Sequence, residues 1–112
     1  MLLAEGHTVT GLDNLNAYYP VPLKEWRVRQ LKEAGGDRFR FVTGDLGDRQ
    51  LVERLLREEG TEAVLNLAAR AGVRPSIETP GLYIETNLGA AVTLMEAMVE
   101  KKKKKLVLAS TS

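Results

Sequence analysis

In FRFVTGDLGDRQLVERLLREEGTEAVLNLA (39–68) three elements follow one another without a linker. The first, FRFVT (39–43), is rich in Phe and Val and is closed by Gly44, as strands are. From Asp48 the period changes. Leu51, Val52, Leu55 and Leu56 form one helical stripe in 48–59, with Asp48 placed as an N-cap and Gly60 as the C-terminal stop. The last element, AVLNLA (63–68), is almost continuously apolar, the pattern of a parallel strand covered on both faces. Strand, helix, strand in this order is a crossover unit.

The pattern continues on both sides. TVTGL (8–12) and LVLAS (106–110) read as two more strands, bounded by Gly, Asp or charged residues. Residues 22–34 read as a helix, with Pro22 near the first helical position and Leu23, Trp26 and Leu31 along one side. Residues 86–100 read as another, with Leu88, Ala91, Val92, Met95, Met98 and Val99 at helical spacing. MLLAE (1–5) before Gly6 reads as the last turn of a helix with glycine just past its end. Strands alternating with helices argue for an α/β fold, a parallel sheet with helices on its faces. The sequence shows no internal repeat and no linker, so residues 1–112 are expected to form one unit.

Composition narrows the function. The 112 residues hold sixteen basic and fifteen acidic side chains, so a net charge of +1 offers no electrostatic attraction for nucleic acid or anionic membrane. Absence of cysteine excludes disulfides and thiolate chemistry, and a single histidine, His7, excludes a histidine-rich metal centre within one chain. His7 itself, between a helix stop and a strand, reads as a cap residue. No apolar run approaches the ~20 residues of a membrane span. MLLAEGHT lacks the basic start of a signal peptide, so a soluble cytoplasmic protein is expected. The run Lys101–Lys105 follows a helix, where cations suit the C-terminal dipole, and reads as a solvated turn.

Four segments at strand ends carry candidate chemistry. In GLDNLN (11–16), Asp13 stands where dinucleotide-binding folds place an acid that accepts hydrogen bonds from the adenosine ribose and disfavours a 2′-phosphate. The alternative is an ordinary turn aspartate. In GDLGD (44–48), Asp45 and Leu46 suit an adenine, the acid taking its exocyclic amine and the leucine covering its ring. A turn plus the Asp48 cap is the competing reading, and it leaves Asp45 unexplained. LNLAARAGVRPSIETP (65–80) leaves its strand through Ala68, Ala69, Ala71 and Gly72, small residues that let a cofactor approach the backbone. Arg74 and Ser76 follow in a loop punctuated by proline and suit a phosphate or carboxylate; a plain loop with a solvated arginine is the alternative. ASTS (109–112) sets three hydroxyls at the last strand's end, as chemistry beside a redox cofactor or as a polar terminus. Tyr83 reads as packing.

Together, EGHTVTGLDNLNAYYPVPLKEWR (5–27), FRFVTGDLGDRQLVERLL (39–56), AVLNLAARAGVRPSIETPGLYIETNLGAAVTLMEA (63–97) and LVLASTS (106–112) resemble the extended short-chain dehydrogenase/reductase family. Within it the chain is most similar to NAD-dependent sugar-nucleotide epimerases and dehydratases, the UDP-glucuronate 4-epimerase branch in particular. The resemblance implies a partial NAD-binding Rossmann domain over residues 1–112. It places Asp13 and Asn14 at the adenosine ribose, and Asp45 and Leu46 at the adenine. Leu67, Ala68 and Ala69 line the path of the pyrophosphate and nicotinamide ribose. Asn87 supports the cofactor side and Ser110 lies beside the nicotinamide. Thr111 falls at the catalytic Ser or Thr, and Arg74 and Ser76 reach toward a UDP-sugar. Ala71 departs from relatives that carry lysine there.

The same resemblance implies parts that these residues do not contain. The family's Gly-x-x-Gly-x-x-Gly lies ~20 residues before the ribose acid and would fall before Met1, together with the first strand. Its Tyr-x-x-x-Lys, which takes the sugar proton, would fall beyond Ser112; Tyr18, Tyr19 and Tyr83 have Pro22, Leu23 and Asn87 four residues on. The expectation is an internal fragment that is inactive alone. The missing strand would lie between strands 8–12 and 63–67. Its absence should leave sheet edges to be closed by refolding of MLLAE, by strands moving together, or by another chain in a homo-oligomer. A non-catalytic binding or oligomerisation module, a pseudoenzyme that keeps an adenosine half-site, is the second reading. A nucleic-acid protein built on the lysine run is a third, distinguished by salt-dependent binding.

Overall fold

The computed structural model of the protein describes residues 1–58 and 60–110. It divides the chain into two compact units, Met1–Asp45 and Leu46–Ser112.

The first unit begins with a closed turn. Gly6 has φ 88°, the His7 N–H donates to Leu2 O at 3.1 Å, and the Gly6 N–H donates to Leu3 O at 3.1 Å. These two bonds are the Schellman ending of a helix, as the glycine at position 6 implied. Strand β1 (Val9–Asp13) follows, then helix α1 (Val21–Gly35), a 3-10 turn (Gly36–Arg38) and strand β2 (Phe39–Thr43). β1 and β2 pair in parallel, from Val9 opposite Phe39 to Asp13 opposite Thr43. Helix α1 packs on β2. Its inward face differs from the stripe expected: Leu23, Trp26 and Leu31 stay largely exposed, while Val21, Lys24 and Val28 are half-buried and Gly35 is buried. Gly35 explains the choice of face. A Cβ there would lie 2.6 Å from Phe39 Cβ and 3.0 Å from Leu3 Cδ1, so only glycine lets the helix end come this close.

The second unit holds helix α2 (Arg49–Glu58), strand β3 (Val64–Asn66) and the short helices α3 (Val73–Glu78) and α4 (Pro80–Tyr83). A wide π turn (Ile84–Gly89), helix α5 (Ala90–Glu100) and strand β4 (Leu106–Leu108) complete it. Asp48 caps α2, its Oδ1 accepting from the Leu51 N–H at 3.2 Å. Val52, Leu55 and Leu56 of α2 are buried, as are Ala90, Leu94, Ala97 and Met98 of α5, and the two helices pack together. Burying each of the large aliphatic side chains stabilises by about 1.5–3 kcal/mol. Arg49 links the same helices at the surface, with Nε to Glu53 at 2.6 Å, Nη1 to Glu96 at 2.8 Å and Nη2 to Glu100 at 2.8 Å. β3 and β4 pair in parallel, Val64 opposite Leu106 and Asn66 opposite Leu108.

Two expectations are corrected in this unit. Arg74 and Ser76 lie in a short helix rather than a loop, because Pro75 sits in its first turn, where a missing N–H costs nothing. The helix expected at 86–100 is preceded by helical turns from Pro80 and is rephased by the π turn. Leu88, Val92, Met95 and Val99 consequently remain exposed while Leu94 and Ala97 are buried. Among the described residues β1 pairs with β2 and β3 with β4, and residues 2–6 form turns, so no refolded MLLAE strand occurs. No helix among them is long and apolar enough to cross a membrane.

Candidate functional site

The parallel register of the first unit brings the two acids named from the sequence to neighbouring strand ends. Asp13 closes β1 opposite Thr43, and the Gly44 N–H donates to Asp13 O at 3.0 Å, carrying the ladder one step further. Asp45 follows directly. Asn14 joins the two, its Nδ2 donating to Asp45 Oδ2 at 3.3 Å.

Local side-chain bonds set the shape of this end. Asp13 Oδ1 accepts from the Leu15 N–H at 2.7 Å, and Asn14 Oδ1 accepts from the Asn16 N–H at 3.1 Å. Asn16 Oδ1 then accepts from the Tyr18 N–H at 3.4 Å. Three overlapping Asx turns result, and they hold Leu15 at φ 53°, a left-handed conformation that its side chain disfavours. Lys24, from the first turn of α1, donates to Asn16 O at 3.1 Å and stands 3.8 Å from Asp13 Oδ1. The Leu15 and Lys24 contacts of the Asp13 carboxylate both fall on Oδ1, and its side chain is 49% exposed. Sequence reading did not single out Asn16 or Lys24; the LDNLN run of Asn and Asp carried the signal for the first.

In the second unit the site elements gather around the end of β3. Asn66 is buried at 5% exposure, its Oδ1 accepting from the Ala68 N–H at 3.1 Å and its carbonyl from the Ala109 N–H at 3.0 Å. It therefore turns the chain out of β3 and holds it to the segment just before Ser110. Sequence reading passed over this residue, although an asparagine inside AVLNLA is the one polar group in the run. Leu67, Ala68 and Ala69 emerge exposed.

The following residues are held from the π turn. Asn87 Oδ1 accepts from the Arg70 N–H at 2.6 Å, and Asn87 Nδ2 donates to Arg70 O at 3.0 Å. The Tyr83 hydroxyl donates to Ala71 O at 2.8 Å, and the Arg70 guanidinium lies 5.9 Å from the Tyr83 ring centre. Tyr83 is buried, as packing implied, but its hydroxyl has a further task. The Ser76 hydroxyl bonds to Val73 O within its own helix, and Arg74 is exposed. Ser110 is exposed, and Thr111 lies outside the described residues.

A hollow of 280 Å³ in the first unit is lined in part by Leu15 and Thr43, next to Asp13 and Asp45. A larger one of 430 Å³, lined by Arg49, Met95, Glu96, Val99 and Glu100, contains none of the candidate site residues. Among the described residues no group of three or more His, Cys, Asp or Glu side chains could hold a metal ion.

Set against known proteins, residues 1–112 match the family model described as GDP-mannose 4,6 dehydratase. The UDP-glucuronate 4-epimerase of Thermodesulfobacterium geofontis is 44% identical over 111 residues, 99% of this chain and 34% of that protein. A UDP-glucose 4-epimerase from Stenotrophomonas maltophila, solved with bound NAD and formylated UDP-arabinopyranose, aligns with a TM-score of 0.86. Its identity is 28%, over 99% of this chain and 32% of that one. The Thermus thermophilus UDP-glucose 4-epimerase, solved as a complex with NAD, aligns with a TM-score of 0.76 at 36% identity, over 98% of this chain and 32% of that one. The mixed α/β arrangement with parallel strands is the Rossmann-like fold of these epimerases. The chain spans about a third of the length of the relatives it matches.

Proposed function

This chain belongs to the GDP-mannose 4,6 dehydratase family, and from that premise we propose that it supplies the NAD-binding part of a nucleotide-sugar epimerase or dehydratase. The observation that carries this reading is the cluster of Asp13, Asn14 and Asp45 at adjacent parallel strand ends, tied by the 3.3 Å Asn14–Asp45 bond. Its donor set fits an adenosine. Asp13 Oδ2 accepts the ribose hydroxyls with Asn14 beside it, Asp45 takes the adenine amine and Leu46 covers the ring.

In the second unit, Leu67, Ala68 and Ala69 present backbone to the pyrophosphate and nicotinamide ribose, Asn87 supports them, and Ser110 lies beside the nicotinamide. Bound NAD supplies the hydride acceptor. Thr111 hydrogen-bonds the sugar hydroxyl being oxidised, while Arg74 and Ser76 contact the UDP-sugar; the Ser76 bond to Val73 O would have to open for this. On this reading residues 1–112 form a partial Rossmann domain of a cytoplasmic enzyme. They contain neither Gly-x-x-Gly-x-x-Gly nor Tyr-x-x-x-Lys, and by themselves they bind without turnover.

A second reading, a non-catalytic module that assembles with copies of itself, is favoured by the exposed Leu67, Val73, Ile77, Leu88 and Val99. Concentration-dependent association with adenosine binding but no binding of the nicotinamide half would support it over the first.

The test is an AMP titration of Asp13→Asn and Asp13→Ala. Asparagine keeps an acceptor for the Leu15 N–H but loses the carboxylate. Hydrogen bonds to a charged group contribute about 1.5–3 kcal/mol, and this half-exposed site belongs at the lower end, so AMP should bind about tenfold more weakly. Equal AMP affinity in wild type and both variants would overturn the reading.

A further inference from the structure

We infer that Tyr83 and Asn87 form a two-point clamp that positions loop 67–72 to receive the nicotinamide half of a dinucleotide. The inference rests on the dinucleotide reading above and adds Tyr83 as a positioning residue. Residues 67–69, 71 and 72 leave β3 exposed, and side chains of the following helical turns bond the backbone of this loop. Asn87 meets both polar groups of Arg70, accepting from its N–H at 2.6 Å and donating to its carbonyl at 3.0 Å, as a neighbouring strand would. Tyr83 takes the next carbonyl, Ala71 O, at 2.8 Å. Three successive backbone groups are thus held by two side chains. The Arg70 guanidinium, 5.9 Å from the Tyr83 ring centre, adds a fourth contact between these side chains and the loop.

The helix serving the clamp is built around it. Tyr83 ends α4, and Asn87 lies inside the π turn Ile84–Gly89. Such turns insert a residue into an α-helix and recur at functional sites. Here the insertion lets Tyr83 and Asn87 meet the loop while Ala90, Leu94, Ala97 and Met98 of α5 stay buried. A tyrosine kept for packing alone would be served equally well by phenylalanine. The hydroxyl acts instead on a loop whose Ala68, Ala69, Ala71 and Gly72 leave mainly backbone for a ligand to meet. Fixing that backbone beforehand removes an ordering cost from binding.

Tyr83→Phe and Asn87→Ala test the clamp in the full 112-residue chain. Amide order parameters of residues 68–72 should fall from the rigid range near ~0.85 toward ~0.6 or below in both variants. NAD should bind about five- to tenfold more weakly, as loss of one or two hydrogen bonds implies, while the affinity for adenosine, which lacks the phosphates, stays at the wild-type value because its proposed contacts lie in residues 13–46. Unchanged loop order in both variants overturns the clamp. Equal weakening of NAD and adenosine, or unchanged NAD affinity, overturns the positioning role, since general destabilisation does not separate the two ligands. A wild-type protein that binds neither ligand refutes the dinucleotide reading and the positioning role with it. Loop order then still decides whether the clamp exists.

Discussion

Lys102 occupies a backbone position that Gly6 occupies elsewhere in the same chain, and exchanging residue types at the two places should change stability in opposite directions. Both end a helical turn with the same pair of bonds. At the first, His7 N–H reaches Leu2 O and Gly6 N–H reaches Leu3 O, with φ 88° at Gly6; at the second, Lys103 N–H reaches Met98 O at 2.7 Å and Lys102 N–H reaches Val99 O at 3.1 Å, with φ 57° at Lys102. A left-handed conformation costs a residue with a Cβ about 1–2 kcal/mol that glycine avoids. Glycine's greater freedom in the unfolded chain returns about 0.5–1 kcal/mol of that. The cation lost from the helix end matters little, because Lys101, Lys103, Lys104 and Lys105 remain. Lys102→Gly should therefore stabilise by about 0.5–1 kcal/mol, a rise in melting temperature of roughly 2–4 °C. Gly6→Ala should destabilise by about 1 kcal/mol through the backbone alone, since nothing lies within 4 Å of the added Cβ. Thermal and urea unfolding of the three proteins measure both. A lower midpoint for Lys102→Gly, or a higher one for Gly6→Ala, would refute the assignment of this cap.

Gly35→Ala should lower the urea midpoint by an amount equivalent to about 1–3 kcal/mol, because its Cβ would lie 2.6 Å from Phe39 Cβ at the α1–β2 contact. A midpoint equal to wild type would mean that α1 does not approach β2 this closely. The hydrogen bond from Arg49 holds the Glu100 carboxyl below the usual glutamate range, while Glu53 and Glu100 raise Arg49. A carboxylate depressed in the folded state stabilises above its unfolded pKa, and that contribution disappears as pH falls through the folded value. The melting temperature should accordingly drop as pH falls below the unfolded glutamate value of about 4.3, and Arg49→Met should flatten that drop. Identical acid limbs in the two proteins would show that the Arg49 network contributes nothing measurable.

Local chemistry made much of this structure legible in the sequence. FRFVT is β2 residue for residue, and Asp48 caps α2 as its position before the Leu51–Leu56 stripe implied. Gly6 ends its turn because few other residues accept that conformation. Where the reading missed, a longer-range choice was involved. Helix α5 is apolar on most of its circumference, so periodicity alone could not select Leu94 over Val92 as the buried residue. The π turn that sets its phase leaves no motif. Leu23, Trp26 and Leu31 form a good apolar stripe, yet the space that Gly35 leaves for Phe39 turns another face of α1 inward. In the candidate site, Asp13 and Asp45 stood out by their places at strand ends and Asn14 through the family resemblance, whereas the bond that joins Asn14 to Asp45 spans 31 residues and needs the fold. The Tyr83 hydroxyl did not stand out, because its partner at Ala71 is twelve residues away in a loop whose path only the folded chain defines.

The most direct measurement is a calorimetric titration of the purified 112-residue protein with NAD, with AMP as the comparison. The proposed function predicts that both bind, and that NAD binds more tightly through loop 67–72. A protein shown to be folded that binds neither would contradict it, and its family membership would then reflect descent rather than nucleotide binding.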